Sequence, residues 1–140
     1  MNLSRIINSF PKEFIFGTAT SSYQIEGTSF GKCGQNHWDS FSKKPNATYK
    51  NQNGSIACNH IKYWEKDLAL VADAGFSAYR FSFSWPRLII DGKAKKNSEG
   101  FSFYDRLIDN MLSKGLLPFA TLYHWDLPQT LADTGGWTNR

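Results

Sequence analysis

Apolar positions recur along the chain with two alternating periods. From Asn59 to Ala74, Ile61, Trp64, Leu68, Val71 and Ala72 fall at helical spacing and predict an amphipathic helix. Asn59 is the candidate N-cap, and Gly75 the residue that leaves the helix with left-handed φ. The next segment, SAYRFSFSW (77–85), alternates and is rich in β-formers, so it reads as a strand. A second stripe follows: Tyr104, Leu107, Ile108, Met111 and Leu112, with Ser102 as candidate cap and Gly115 as the stop. After it, LLPFATLYHW (116–125) is a nearly continuous apolar run, as expected of a strand covered on both faces.

These two halves share one register. Gly75 and Gly115 lie 40 residues apart, as do Trp85 and Trp125, and each Trp sits ten residues beyond its glycine. Helix, glycine, buried strand and terminal Trp make a repeated unit, and sequential parallel strands require such helical crossovers. Upstream, EFIFGTATSSYQIEG (13–27) reads as a first strand followed by a loop of small and polar residues. The stretch from about 28 to 58 is rich in Gly, Asn, Lys and Ser and reads as a long loop, and PRLIIDGKAKKNSEG (86–100) as a second one.

The predicted fold class is therefore α/β: an incomplete (β/α)8 TIM barrel made of its first three strand–helix units, with residues 1–140 forming the N-terminal part of one barrel domain. A complete barrel typically takes about 250 residues, so this length leaves strand edges uncovered.

Composition narrows the function classes. Hydrophobic residues make up 41% and aromatics 16% of the 140 residues, a globular composition with side chains suited to cores and to sugar faces alike. The net charge of +4 is carried by scattered lysines (Lys43, Lys44, Lys50, Lys93, Lys95, Lys96) without a basic stripe, which argues against nucleic acid. MNLSRIINSFPKE contains no apolar run of signal-peptide length and no window approaches a membrane span, so the expectation is a cytoplasmic protein without membrane partners. On that expectation the N-x-Ser/Thr triplets at Asn2, Asn46 and Asn53 are chance matches, and Cys33 and Cys58 are reduced thiols.

Barrel active sites form at the C-terminal ends of the strands. Those positions carry Tyr23-Gln24-Ile25-Glu26-Gly27, Ser84-Trp85-Pro86-Arg87 and Tyr123-His124-Trp125-Asp126-Leu127-Pro128, while Arg80 sits within the second strand at a position expected to face the interior. Amide, imidazole and indole groups suit a neutral, hydroxyl-rich ligand. No glycine-rich loop opens a helix to cradle phosphate, and no Ser or Cys lies in a nucleophile context. Cys33, His37, Cys58 and His60 supply enough ligands for zinc by count, but C-x-H is tighter than the usual knuckle. No metal and no cofactor are expected.

Three motifs carry a more specific likeness. FIFGTATSSYQIEGT (14–28) resembles the N-terminal signature of family 1 glycoside hydrolases, the β-glucosidase and β-galactosidase family. AYRFSFSWPR (78–87) resembles that family's second-strand motif, and TLYHWDLPQ (121–129), followed by GGWTNR, its third. The helix IACNHIKYWEKDLALVADAG is similar as well, with Asn59 where many relatives have Asp. Both residues cap helices well, so the change has little expected consequence.

The resemblance implies that Gln24 and His124 bind hydroxyls of the sugar in the glycone subsite, with Trp125 beside them. It also implies that Arg80 lies next to the nucleophilic carboxylate, holding it ionised and oriented. Retaining glycosidases use two carboxyl groups about 5–5.5 Å apart. The family's acid/base lies in an Asn-Glu-Pro motif after strand four and its nucleophile in a Glu-Asn-Gly-type motif at strand seven. Neither motif occurs in the 140 residues, so no catalytic residue is expected here. Glu26 is expected to be structural and Asp126 a loop-fixing acceptor. Trp85 reads as packing or as ligand contact, and Trp38 and Trp137 as packing. Two functions follow: part of a retaining β-glucosidase acting on terminal β-D-glucosyl or related residues, or a standalone non-catalytic remnant or weak glycan binder.

Overall fold

The computed structural model describes residues 9–139. The Asn2 triplet and Arg140 lie outside them. Three strands, β1 (Gly17–Ala19), β2 (Ala78–Ser82) and β3 (Leu117–Thr121), form one parallel sheet in the order β1-β2-β3. Gly17 pairs with Ala78, and Tyr79 and Phe81 pair with Pro118 and Ala120. Six α-helical segments accompany the strands: α1 (Ser22–Ile25), α2 (His37–Ser42), α3 (His60–Asp73), α4 (Trp85–Leu88), α5 (Ser98–Ser113) and α6 (Gln129–Ala132). Single 3-10 turns lie at Tyr49–Asn51 and Gly136–Thr138.

The long crossover helices follow from the two apolar stripes. Leu68 of α3 and Phe103, Tyr104, Leu107 and Met111 of α5 bury against Tyr79 and Phe81 of β2, with Leu116 closing the cluster. The two helices thus cover one face of the sheet, as right-handed βαβ crossovers require. Gly75 and Gly115 adopt φ of 81° and 71° after α3 and α5, the left-handed exits their positions predict.

Other boundaries differ from expectation for identifiable reasons. α5 begins at Ser98, so Ser102 lies inside the helix, because Asn97 occupies the N-cap position and sends its amide to the Gly31 and Arg87 carbonyls at 2.8 Å each. Asn59 does precede α3, but at φ 56° and without a side-chain cap. Residues 28–58 are not loop throughout: Asn36 and Asp39 form a capping box, each side chain accepting from the other's backbone N–H, and start α2. The stretch after β1 folds into α1, and residues 86–88 belong to α4. Finally, β3 is not covered on both faces. Leu117 and Phe119 are about half exposed because they pair with Ala78 and Arg80 and so lie on the sheet face away from the helices, which no helix among the described residues covers. Among the described residues, no helix is long and apolar enough to cross a membrane.

Candidate functional site

The three segments after the strands converge at one end of the sheet, and buried polar side chains hold them together. Ser22, at the start of α1, donates its backbone N–H to Ser82 Oγ at 2.8 Å, and the Ser82 hydroxyl returns to Ser22 Oγ at 3.1 Å. The Ser22 hydroxyl then donates to Asp126 Oδ2 at 2.7 Å. One short relay therefore ties the ends of β1, β2 and β3. Asp126 is 1% exposed, and burial pushes its carboxyl up to about 7 against the lowering effect of the Ser22 hydrogen bond.

A second buried group fixes the outer side of the same loops. Arg87 donates from Nε to Glu26 Oε2 at 2.8 Å, from Nη1 to the Phe30 carbonyl and from Nη2 to the Gly27 carbonyl. The Tyr104 hydroxyl donates to Glu26 Oε1 at 2.7 Å and accepts from the Ser84 backbone N–H at 2.7 Å. All five guanidinium and carboxylate heteroatoms thus have partners, the condition under which a buried pair is tolerated. Burial, reinforced by the Glu26 charge, holds the Tyr104 hydroxyl well above the ordinary phenol range, so it stays a donor.

Segments predicted as site-lining divide accordingly. Glu26, Ser84, Pro86, Arg87, Asp126, Leu127 and Pro128 are buried scaffold and do not face a ligand. For Ser84, Pro86 and Arg87 this corrects the expectation that the whole segment lines the pocket: α4 turns it inward, and Arg87 is drawn to Glu26. Gln24 is exposed, its Oε1 accepting from the Ser21 hydroxyl at 2.7 Å while its amide nitrogen makes no hydrogen bond among the described residues. His124 is partly exposed, and its ring stacks on the Trp125 indole with centroids 5.4 Å apart and planes at 26°. Trp125 is 66% exposed at φ 69°, a conformation that costs a bulky residue free energy unless its neighbours hold it. Pinned Asp126 is that neighbour.

Arg80 alternates with buried Tyr79 and Phe81, so it lies on the sheet face away from the helices; its Nε donates to Thr121 Oγ1 at 2.8 Å. It lines a hollow on that face with Ala19, Ala78 and Phe119. The carboxylate of Glu26 and the amide of Gln24 are two residues apart, yet only the amide is presented.

Sequence reasoning missed the Ser22–Ser82–Asp126 relay and the Tyr104 hydroxyl. No local signal marks them, since the partners are 60 to 104 residues apart. The possible zinc ligands are dispersed: His60 Nδ1 pairs with Asp67 at 2.6 Å, His37 Nδ1 lies 3.3 Å from the Leu127 carbonyl, and Cys58 is exposed. Among the described residues, no cluster of three or more His, Cys, Asp or Glu could hold a metal. Burial pushes the Cys33 thiol up to about 11, away from nucleophilic character.

The family model for glycosyl hydrolase family 1 matches residues 6–140. The chain belongs to this family. The β-glucosidase of Agrobacterium sp. is 48% identical over 132 residues, covering 94% of this chain and 29% of that protein. The aryl-phospho-β-D-glucosidase BglC of Bacillus subtilis is 50% identical over 135 residues, covering 94% of this chain and 28% of that protein. Among solved structures, the family 1 β-glucosidase of Thermotoga maritima superposes with a TM-score of 0.90 at 44% identity, over 93% of this chain and 30% of that one. The chain thus spans about 30% of the length of the curated relatives it matches, and its sheet is an incomplete family barrel.

Proposed function

We propose that these 140 residues are the N-terminal part of a single barrel domain in a retaining β-glucosidase, contributing one wall of the glycone subsite. Gln24 and His124 exchange hydrogen bonds with sugar hydroxyls, Trp125 offers its indole to the sugar face, and Arg80 orients the nucleophilic carboxylate. The acid/base and nucleophile glutamates belong to parts of the barrel outside this sequence. The parent reaction is hydrolysis of a terminal β-D-glucosyl or related residue through a covalent glycosyl-enzyme intermediate.

The observation that carries this reading is the contrast at the strand ends. Every carboxylate there is buried and hydrogen-bonded, whereas an amide, an imidazole and an indole remain open. Such a wall binds and orients a neutral sugar without cleaving it. The likeness to curated β-glucosidases supports the substrate class.

The test is aryl β-glucoside turnover by two proteins. One is the 140-residue chain; the other is a chimera in which it replaces the matched segment of the Thermotoga maritima β-glucosidase. The chain alone is expected to show no turnover and the chimera to hydrolyse the substrate. Turnover by the chain alone that disappears in Gln24→Ala and His124→Ala would refute the assignment of the catalytic pair.

A further inference from the structure

Gln24 follows β1 and His124 follows β3, and these strands are not neighbours, because β2 lies between them. The ladder therefore couples the two displayed groups only through β2. One side-chain bond bridges the gap directly. The Ser22 hydroxyl donates to Asp126 Oδ2 at 2.7 Å, across 104 positions of sequence. Its ends lie two residues before Gln24 and two after His124.

The surroundings leave this bond one arrangement. Ser22 Oγ accepts from the Ser82 hydroxyl at 3.1 Å, and Ser82 Oγ accepts the Ser22 backbone N–H at 2.8 Å. The Ser22 hydroxyl proton is thus left for Asp126. Ser22, Ser82 and Asp126 are all buried, so water does not compete for the bond. Ser22 opens the single turn α1, which contains Gln24, so fixing its hydroxyl fixes where the amide side chain starts from. At the other end, Trp125 holds φ at 69° with its indole exposed, so burial of its own ring does not keep it in the left-handed region. Main-chain bonds from Phe83 N–H to the Thr121 carbonyl and from His37 N–H to the Leu127 carbonyl hold the loops in place, yet neither reaches α1.

We propose that Ser22 and Asp126 are positioning residues of the sugar wall, their bond setting the placement of Gln24 relative to His124 and Trp125. The inference rests on the glycone reading above and extends it to two buried groups that do not meet the sugar. Its consequences are kinetic. A slackened wall still collects the sugar but presents it in a worse orientation, and an error of about 1 Å costs about a hundredfold in rate. The loss falls on kcat more than on KM.

The experiment measures aryl β-glucoside kinetics in the Thermotoga maritima chimera, each variant assayed well below its own unfolding midpoint. Ser22→Ala and Asp126→Ala should lower kcat about tenfold or more, with KM changed less than about threefold. Asp126→Asn keeps an acceptor for Ser22, and burial already favours the uncharged carboxyl, so kcat should return to within about threefold of the parent. In a Gln24→Ala background, Ser22→Ala should lower kcat/KM less than about twofold further, since its effect runs through Gln24. Where Asp126→Ala fails to fold, Ser22→Ala and Asp126→Asn decide the matter. Parental kcat in Ser22→Ala, whatever its midpoint, would overturn the proposal. So would an Asp126→Asn protein slowed as much as Ser22→Ala, or an undiminished cost of Ser22→Ala on top of Gln24→Ala. Parental kcat/KM in Gln24→Ala, or a folded chimera without turnover, removes the glycone reading itself and this inference with it.

Discussion

Gln24 and Glu26 sit two residues apart after β1, and His124 and Asp126 two apart after β3, yet within each pair the two side chains have opposite fates. Glu26 and Asp126 are 4% and 1% exposed; both Glu26 oxygens are held by Arg87 and Tyr104, and Asp126 accepts from Ser22 through Oδ2 while its buried Oδ1 has no partner among the described residues. Gln24 is open, and His124 carries only a stacked indole. The carboxylates, which chemistry would nominate first, build the platform, and the neutral groups are displayed on it. Residue type therefore says little about which groups are presented at the strand ends here, whereas the direction a side chain takes from a strand end separates the presented from the buried well.

Breaking the platform should cost far more stability than trimming the display. The largest loss is expected from Arg87→Met, which leaves Glu26 buried without its cation and should lower the unfolding free energy by about 3–5 kcal/mol in urea titrations. A comparably stable variant would mean that the pair is dispensable.

The pH dependence should come next. The Asp126 carboxyl holds its proton more tightly in the folded chain, at about 7, than the ordinary value of 3.8. Its stabilising contribution is therefore complete below about pH 4 and is lost as pH rises through 7, by up to about 4 kcal/mol in total. Asp126→Asn should flatten unfolding free energy across that window. A parallel slope in wild type and variant would assign the pH dependence elsewhere.

Tyr104→Phe removes one donor to Glu26 and one acceptor for the Ser84 N–H, and should cost about 1–3 kcal/mol by the same titration. Smallest of all, Gln24→Ala and His124→Ala should each change stability by less than about 0.5 kcal/mol. A loss of platform size at either position would erase the distinction between the two regions.

Much of the frame was legible along the chain. The shared spacing of Gly75 and Gly115 announces two equal helix–strand units, because a left-handed exit after a helix favours glycine and the strand must then return beneath that helix. The apolar stripes named the core residues Leu68, Leu107 and Met111. What stayed hidden depends on partners distant in sequence. Arg87 reads as a pocket residue until Glu26, 61 positions earlier, is placed beside it. Ser102 reads as a cap because a serine precedes the stripe, but Ser98 and Asn97 start the helix one turn earlier, where Asn97 bridges two loop carbonyls. The apolar run of β3 reads as doubly covered, yet coverage depends on neighbours, and among the described residues helices cover only the face opposite Leu117 and Phe119. The Asn36/Asp39 capping box lies in a polar stretch that reads as a long loop, because composition rich in Gly, Asn, Lys and Ser hides a helix of about one and a half turns.

The most direct test of the display is a kinetic comparison in the Thermotoga maritima chimera, with kcat/KM for an aryl β-glucoside and the unfolding midpoint measured on the same Gln24→Ala preparation. The account predicts a fall in kcat/KM of about a hundredfold, near 2.7 kcal/mol of lost transition-state stabilisation, with the midpoint unchanged. Parental kcat/KM in that variant would contradict it.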